Sequence, residues 1–147
     1  MALKSGAAGI KDSAGDLSNM EAMVERFPGF AVLAGADPLM LPLLKKGGAG
    51  AITATTNLVA KDLAFVFRNF ADPSRAAEVE AAQNRVVAAR NRASHFAQMP
   101  SLKVLLAERT GDDDWRRVRP PLVPLTNEER SALLASKEPA PEARNTY

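Results

Sequence analysis

Lys11 is the residue of this sequence best placed for covalent chemistry. It directly follows the short apolar run of residues 7–10, which predicts a strand. A lysine that is partly removed from water loses its proton more readily, because burial disfavours the charged form. The neutral amine is a nucleophile that condenses with ketones to imines, and a protonated imine withdraws electrons from the neighbouring carbon. Lys11 is therefore a candidate imine-forming nucleophile.

The other groups that could do chemistry are less well placed. His95 falls in a predicted long helix, away from any strand end, and is more typical of a structural or exposed residue than of a base. The acidic run 112–114 has no histidine or regularly spaced partner, so we predict solvated carboxylates and no metal site. The glycines at 47, 48 and 50 lack the lysine and the spacing of a phosphate-binding loop. With no cysteine in the chain, thiolate ligands and disulfides are excluded.

The elements that must position Lys11 repeat one pattern three times. Apolar runs begin near residues 7, 30 and 50, and each is followed by a polar turn and an amphipathic helix. Such alternation predicts a parallel sheet of βαβ units, with strands buried on both faces. Functional residues in these folds lie just beyond the carboxyl ends of the strands. Three positions qualify, namely Lys11, Gly35 and the pair Ile52 and Thr53.

The pattern changes after residue 72. We predict a long helix over 74–98 that Pro100 interrupts, a shorter helix over 101–109, a polar loop over 110–119 and an extended run over 119–124. Thr126 and Glu129 form a capping box that opens a last helix. The predicted organisation is three βα units in residues 1–72, a helical region in 73–137 and a disordered tail in 138–147.

Composition excludes several classes of protein. The apolar fraction of 46%, the charged fraction of 24% and the net charge of +2 are ordinary for a globular domain. Aromatic residues are only 5% and basic residues are scattered, which disfavours nucleic-acid binding. No apolar run approaches the ~20 residues of a membrane span. We therefore expect no nucleic-acid or membrane partner, and we expect the protein in the cytoplasm.

Four segments together resemble a known family. They are Gly9-Ile10-Lys11-Asp12-Ser13-Ala14-Gly15-Asp16, Gly35-Ala36-Asp37, the run from Gly47 to Thr53 followed by Asn57, and Arg119-Pro120-Pro121-Leu122. In this order and spacing they resemble the dihydrodipicolinate synthase / N-acetylneuraminate lyase family of Schiff-base class I aldolases. The resemblance covers residues 6 to about 136.

The resemblance implies a fold and an activity. The fold is α/β, and the chain would be the C-terminal half of a (β/α)₈ TIM barrel, with strands six to eight followed by a helical extension. Lys11 would form the Schiff base with pyruvate or another 2-oxo acid, and Gly35, Ile52 and Thr53 would bind the substrate. Members are lyases that need no metal or organic cofactor and form homo-oligomers. Whether the reaction is an aldol cleavage, an aldol addition or a dehydration stays open.

The departures from the family concern its helper groups. Two threonines that hold the substrate carboxylate and a tyrosine that moves protons lie upstream of the position equivalent to residue 1. The only tyrosine in the chain, Tyr147, is in the tail and cannot replace that residue. Three strands also leave unpaired sheet edges. We therefore expect either a complementing N-terminal half-barrel or self-association. The open alternatives are a truncated, non-catalytic half-barrel with a structural role, and a binding module without imine chemistry.

Overall fold

The computed structural model describes residues 6–136. In its first part strands and helices alternate as predicted: β1 (Gly9–Asp12), α1 (Leu17–Arg26), β2 (Ala31–Ala34), α2 (Met40–Lys45), β3 (Gly50–Ala51) and α3 (Thr56–Asn69). The helices α4 (Ala76–Ala93), α5 (Gln98–Thr110) and α6 (Asn127–Ala135) follow. The strands pair in parallel in the order β1-β2-β3. The protein therefore has the predicted α/β architecture.

The sheet differs from the prediction in how much of it is buried. β2, the central strand, alternates between half-buried and buried residues, but Gly9, Ile10 and Lys11 of β1 are exposed. The expectation that every strand is buried on both faces is wrong for β1. Among the residues described, β1 pairs on one side only, so it lacks the cover that a central strand receives. β3 begins where the third apolar run was predicted, near residue 50, but it contains only two residues.

The prediction for the long helix is corrected at Pro100. α4 ends at Ala93 rather than at residue 98, and Pro100 lies in the first turn of α5. The backbone N–H groups in the first turn of a helix have no acceptor within that helix, so a proline, which lacks the N–H group, is tolerated there. In the interior of a longer α4 the same proline would remove a backbone hydrogen bond. The capping box of Thr126 and Glu129 at α6 is present as predicted.

The described residues form two compact units, each with its own core. The first contains residues 6–53 and 61–83, and its core is built on Met20, Val32, Ala34 and Leu43. The second contains residues 54–60 and 84–136, with a core of Ala93, Leu102, Val104, Leu105 and Leu133. A division near residue 72 stays a prediction, and the predicted tail 138–147 lies outside the described residues. Of the helices described, none combines the length and the apolarity needed to cross a bilayer.

Candidate functional site

The segments that follow the three strands lie side by side at the carboxyl end of the sheet. Asp12 at the end of β1 is in register with Ala34 at the end of β2. The Gly35 N–H donates to the Asp12 carbonyl oxygen at 2.6 Å, and the Ile52 N–H donates to the Ala34 carbonyl oxygen at 2.9 Å. Parallel strands that end level in this way bring the residues after each strand together.

Lys11 and Gly35 are in close contact. A Cβ atom placed on Gly35 would lie 2.8 Å from Lys11 Cε and 2.6 Å from the Asp12 carbonyl oxygen, so only a glycine allows this approach. The aliphatic stem of Lys11 therefore lies against the backbone that follows β2. Two of the residues singled out from the sequence meet here because strand register brings their backbones together.

Hydrogen bonds hold the turn that follows Lys11. Asp12 Oδ1 accepts from the Ala14 N–H at 2.7 Å, and Asp12 Oδ2 accepts from Asn19 Nδ2 at 2.9 Å. Asp16 caps α1, accepting from the Ser18 hydroxyl at 2.6 Å and the Ser18 N–H at 2.9 Å. The Ser18 hydroxyl hydrogen bond is the main cause that lowers the pKa of Asp16 below its ordinary value. The two aspartates thus serve turn and cap roles, and the turn gives the end of β1 a defined geometry.

Thr53 is held by a buried aspartate from the segment that follows β2. The Thr53 hydroxyl donates to Asp37 Oδ1 at 2.5 Å, and Asp37 is fully buried. Gln83 Nε2 donates to the Asp37 carbonyl oxygen at 2.9 Å. Ala36 occupies the N-cap position of the 3₁₀ turn Asp37–Leu39, and no side chain caps this turn. An aspartate before a proline has the local pattern of a cap, and its burial depends on residues distant in sequence.

Ile52, which directly precedes Thr53, is exposed to solvent. Its side chain is 56% exposed, although its backbone is held by the hydrogen bond to Ala34. Lys11 is exposed as well. The sequence interpretation assumed a partly desolvated lysine, and the described residues do not provide that environment. The reason is the position of β1 at the edge of the sheet.

The remaining polar candidates have local partners in the second unit. The His95 ring packs edge-on against Phe96 with 4.6 Å between centroids. Asp112 caps a short 3₁₀ turn by accepting from the Asp114 N–H, and Asp113 and Asp114 pair with the arginines at 116 and 117. Within residues 6–136 no group of three or more histidine, aspartate or glutamate side chains could hold a metal ion.

Comparison with known proteins places the chain among relatives of similar sequence and fold. The model of the dihydrodipicolinate synthetase family matches residues 1–138. An uncharacterized DapA-like lyase of Chloroflexus aurantiacus is 36% identical over 130 residues, which cover 88% of this chain and 42% of that protein. The crystal structure of a dihydrodipicolinate synthase from Bacillus anthracis matches with a TM-score of 0.74 and 26% identity, over 86% of this chain and 43% of that chain.

A third relative is similar in fold alone. It is an E. coli K12 protein of the dihydrodipicolinic acid synthase family, solved in complex with pyruvate. Its TM-score is 0.72 at 23% identity, over 88% of this chain and 44% of that chain. The chain thus spans less than half the length of these relatives. Because the family model matches most of its residues, the chain belongs to the dihydrodipicolinate synthetase family.

Proposed function

We propose that Lys11 forms a Schiff base with pyruvate or another 2-oxo acid, in a lyase or aldolase whose barrel strands six to eight are β1, β2 and β3. The observation that carries the proposal is the place of Lys11 at the carboxyl end of a parallel strand, with its stem against Gly35. Ligand-binding residues in such folds lie at the carboxyl ends of the strands. The pyruvate complex of the E. coli relative supports the choice of acid.

The chemistry starts with the unprotonated Lys11 amine. Its nitrogen lone pair attacks the ketone carbon of the acid, a carbinolamine forms, and loss of water leaves a protonated imine. A proton then leaves the adjacent carbon and the electron pair moves into an enamine. The enamine can add to an aldehyde, and the reverse sequence cleaves the same carbon–carbon bond. The imine itself is the electron sink, so the proposed reaction needs no metal or organic cofactor.

The neighbours of Lys11 contribute to binding in this proposal. Gly35 lets the lysine stem lie close to the backbone that follows β2, and Ile52 and Thr53 line the pocket. Asp37 is a positioning residue, because its bond to the Thr53 hydroxyl orients the loop after β3. The lyase therefore uses backbone and side chains from all three strand ends.

The exposure of Lys11 points to a further component. Imine formation and the steps after it move protons, and general acid–base help contributes typically about 10²–10⁴-fold to such reactions. We therefore propose that a complementing N-terminal half-barrel, or a homo-oligomer of this chain, covers β1 and supplies the proton-transfer groups. The expected location stays the cytoplasm. The same exposure favours one alternative, a non-catalytic half-barrel with a structural or assembly role.

Reductive trapping tests the proposal. The chain is incubated with pyruvate and borohydride, alone and with the N-terminal half of a family member, followed by intact mass measurement and peptide mapping. We expect one reduced pyruvate adduct on Lys11, with a higher yield when the N-terminal half is present. Lys11→Arg keeps the charge but not the nucleophile and should abolish the adduct.

The matched control is Lys46→Arg. Lys46 is an exposed lysine of the same unit, 3.7 Å from Glu21, and its replacement should leave the adduct unchanged. Adducts spread over several lysines would indicate unselective chemistry. A complete lack of adduct, even with the N-terminal half present, would contradict the Schiff-base proposal and favour the non-catalytic half-barrel.

A further inference from the structure

The second compact unit contains a cavity that the proposed lyase function does not use. It lies between α5 and residues 114–122 and has a volume of about 480 Å³. Small-molecule sites typically have volumes of about 300–1,000 Å³. Its lining includes Met99, Lys103, Asp114, Arg117, Arg119 and Leu122.

The cavity has an excess of positive charge. Three cations and one carboxylate line it, and Asp114 pairs with Arg117 at 2.8 Å. Lys103 and Arg119 have no carboxylate partner within residues 6–136. The Lys103 ammonium instead lies 5.8 Å from the centroid of the Trp115 ring. Two cations on one concave surface that pair with no carboxylate of the described residues favour an anionic ligand.

Apolar groups form the rest of the wall. Met99 and Leu122 line the cavity and are each 43% exposed, and the neighbouring Trp115 is 41% exposed. Large apolar side chains that stay exposed together next to polar groups are typical of ligand-binding surfaces. A ligand that matches this wall needs an apolar part as well as a negative charge.

We propose that this cavity binds a small organic anion. Lys103 and Arg119 hold its carboxylate or phosphate group, and Met99 and Leu122 contact a short aliphatic or aromatic body. The volume suits a free small molecule. The site lies in a different compact unit from Lys11, so the inference does not depend on the Schiff-base proposal.

Trp115 provides the readout, because it is the only tryptophan in the chain. The full chain is titrated with hexanoate, which neither absorbs nor emits in the tryptophan range, while its emission is followed. Acetate and hexan-1-ol at matched ionic strength test the charge alone and the apolar body alone. We expect a saturable change with hexanoate and affinities at least about tenfold weaker for both controls, since each lacks one of the two contacts.

Two substitutions assign the binding to this cavity. Arg119→Gln and Lys103→Met should each weaken hexanoate binding about tenfold, as expected for loss of a charge-assisted hydrogen bond. Arg130→Gln removes a cation of α6 that does not line the cavity and should leave the affinity unchanged. Far-UV circular dichroism checks that each variant is folded, and Arg119 is exposed, so glutamine should be tolerated there.

Three results would overturn the inference. One is a linear, unsaturable response to hexanoate. Another is binding of hexan-1-ol or acetate as tight as that of hexanoate. Equal binding of hexan-1-ol would indicate an apolar patch, and equal binding of acetate would indicate a general effect of charge. The third is an unchanged affinity in folded Arg119→Gln. Each can occur with or without a pyruvate adduct on Lys11, so the two proposals fail separately.

Discussion

At the scale of single residues, the candidate site depends on two contacts between positions distant in sequence. The Lys11 stem lies where a side chain on Gly35 would be, and the Thr53 hydroxyl is bonded to the buried Asp37. The sequence alone predicts that Lys11, Gly35 and Thr53 lie at the ends of strands. It does not predict their contacts, because each partner comes from a different strand end.

The Asp37–Thr53 contact should contribute measurably to stability. Thr53→Val keeps the shape of the side chain but removes a hydrogen bond from a buried carboxylate, which should lower the free energy of unfolding by about 1–3 kcal/mol. Urea unfolding at neutral pH measures the loss. Thr53→Ser keeps the hydroxyl and is the matched control, with a smaller expected effect. Equal stability of wild type and Thr53→Val would mean that the bond contributes nothing in solution.

At the scale of elements, the local chemistry of the sequence predicted the helix ends where side chains supply the caps. α6 begins after Thr126 as expected, and α1 begins after Asp16, whose side chain accepts from its near neighbours Ser18 and Asn19. Predictions failed where long-range packing decides, as with the two-residue β3 and the early end of α4. A helix cap uses neighbours within four residues, whereas the length of a strand depends on its pairing partner.

The Asp16 cap should make stability depend on pH. Its pKa is lowered in the folded chain, chiefly by the Ser18 hydroxyl, so the ionised cap stabilises the fold at pH values above the ordinary aspartate pKa of about 3.9. This contribution is lost as the pH falls through the lowered pKa. The stability difference between wild type and Asp16→Ala should therefore be largest near neutral pH and shrink in acid.

Denaturant unfolding at a series of pH values measures this difference. Glu25→Ala, which removes an acidic residue from the exposed side of the same helix, controls for the change in net charge. A difference between wild type and Asp16→Ala that stays constant down to acid pH would contradict the role of the ionised carboxylate.

At the scale of the whole molecule, the exposed strand β1 is the main structural consequence of the short sheet. Gly9, Ile10 and Lys11 are exposed, and within residues 6–136 the strand pairs only with β2. Exposed strand edges recruit other strands. The strand that carries the proposed nucleophile is thus also the surface where a second chain would add.

Self-association through β1 should be visible in sedimentation velocity. We expect the chain to form dimers or larger species as its concentration rises. Ile10→Lys places a charge on the exposed edge and should weaken association at least about tenfold, as charged edge residues do in natural sheets. Val123→Lys, at a residue that is 73% exposed in the second unit, is the control and should change nothing. A wild-type chain that stays monomeric throughout would rule out association through this edge.

The sequence by itself determined the kind and order of elements, the capped starts of α1 and α6, and the position of Lys11 at a strand end. These follow from hydrophobic periodicity and from hydrogen bonds between near neighbours, which a single sequence displays directly. The tertiary structure alone decided that Lys11 lies against Gly35, that Asp37 is buried under Thr53, and that β1 is exposed. Those features depend on strand register and on which surfaces the rest of the chain covers, and neither is written in local spacing.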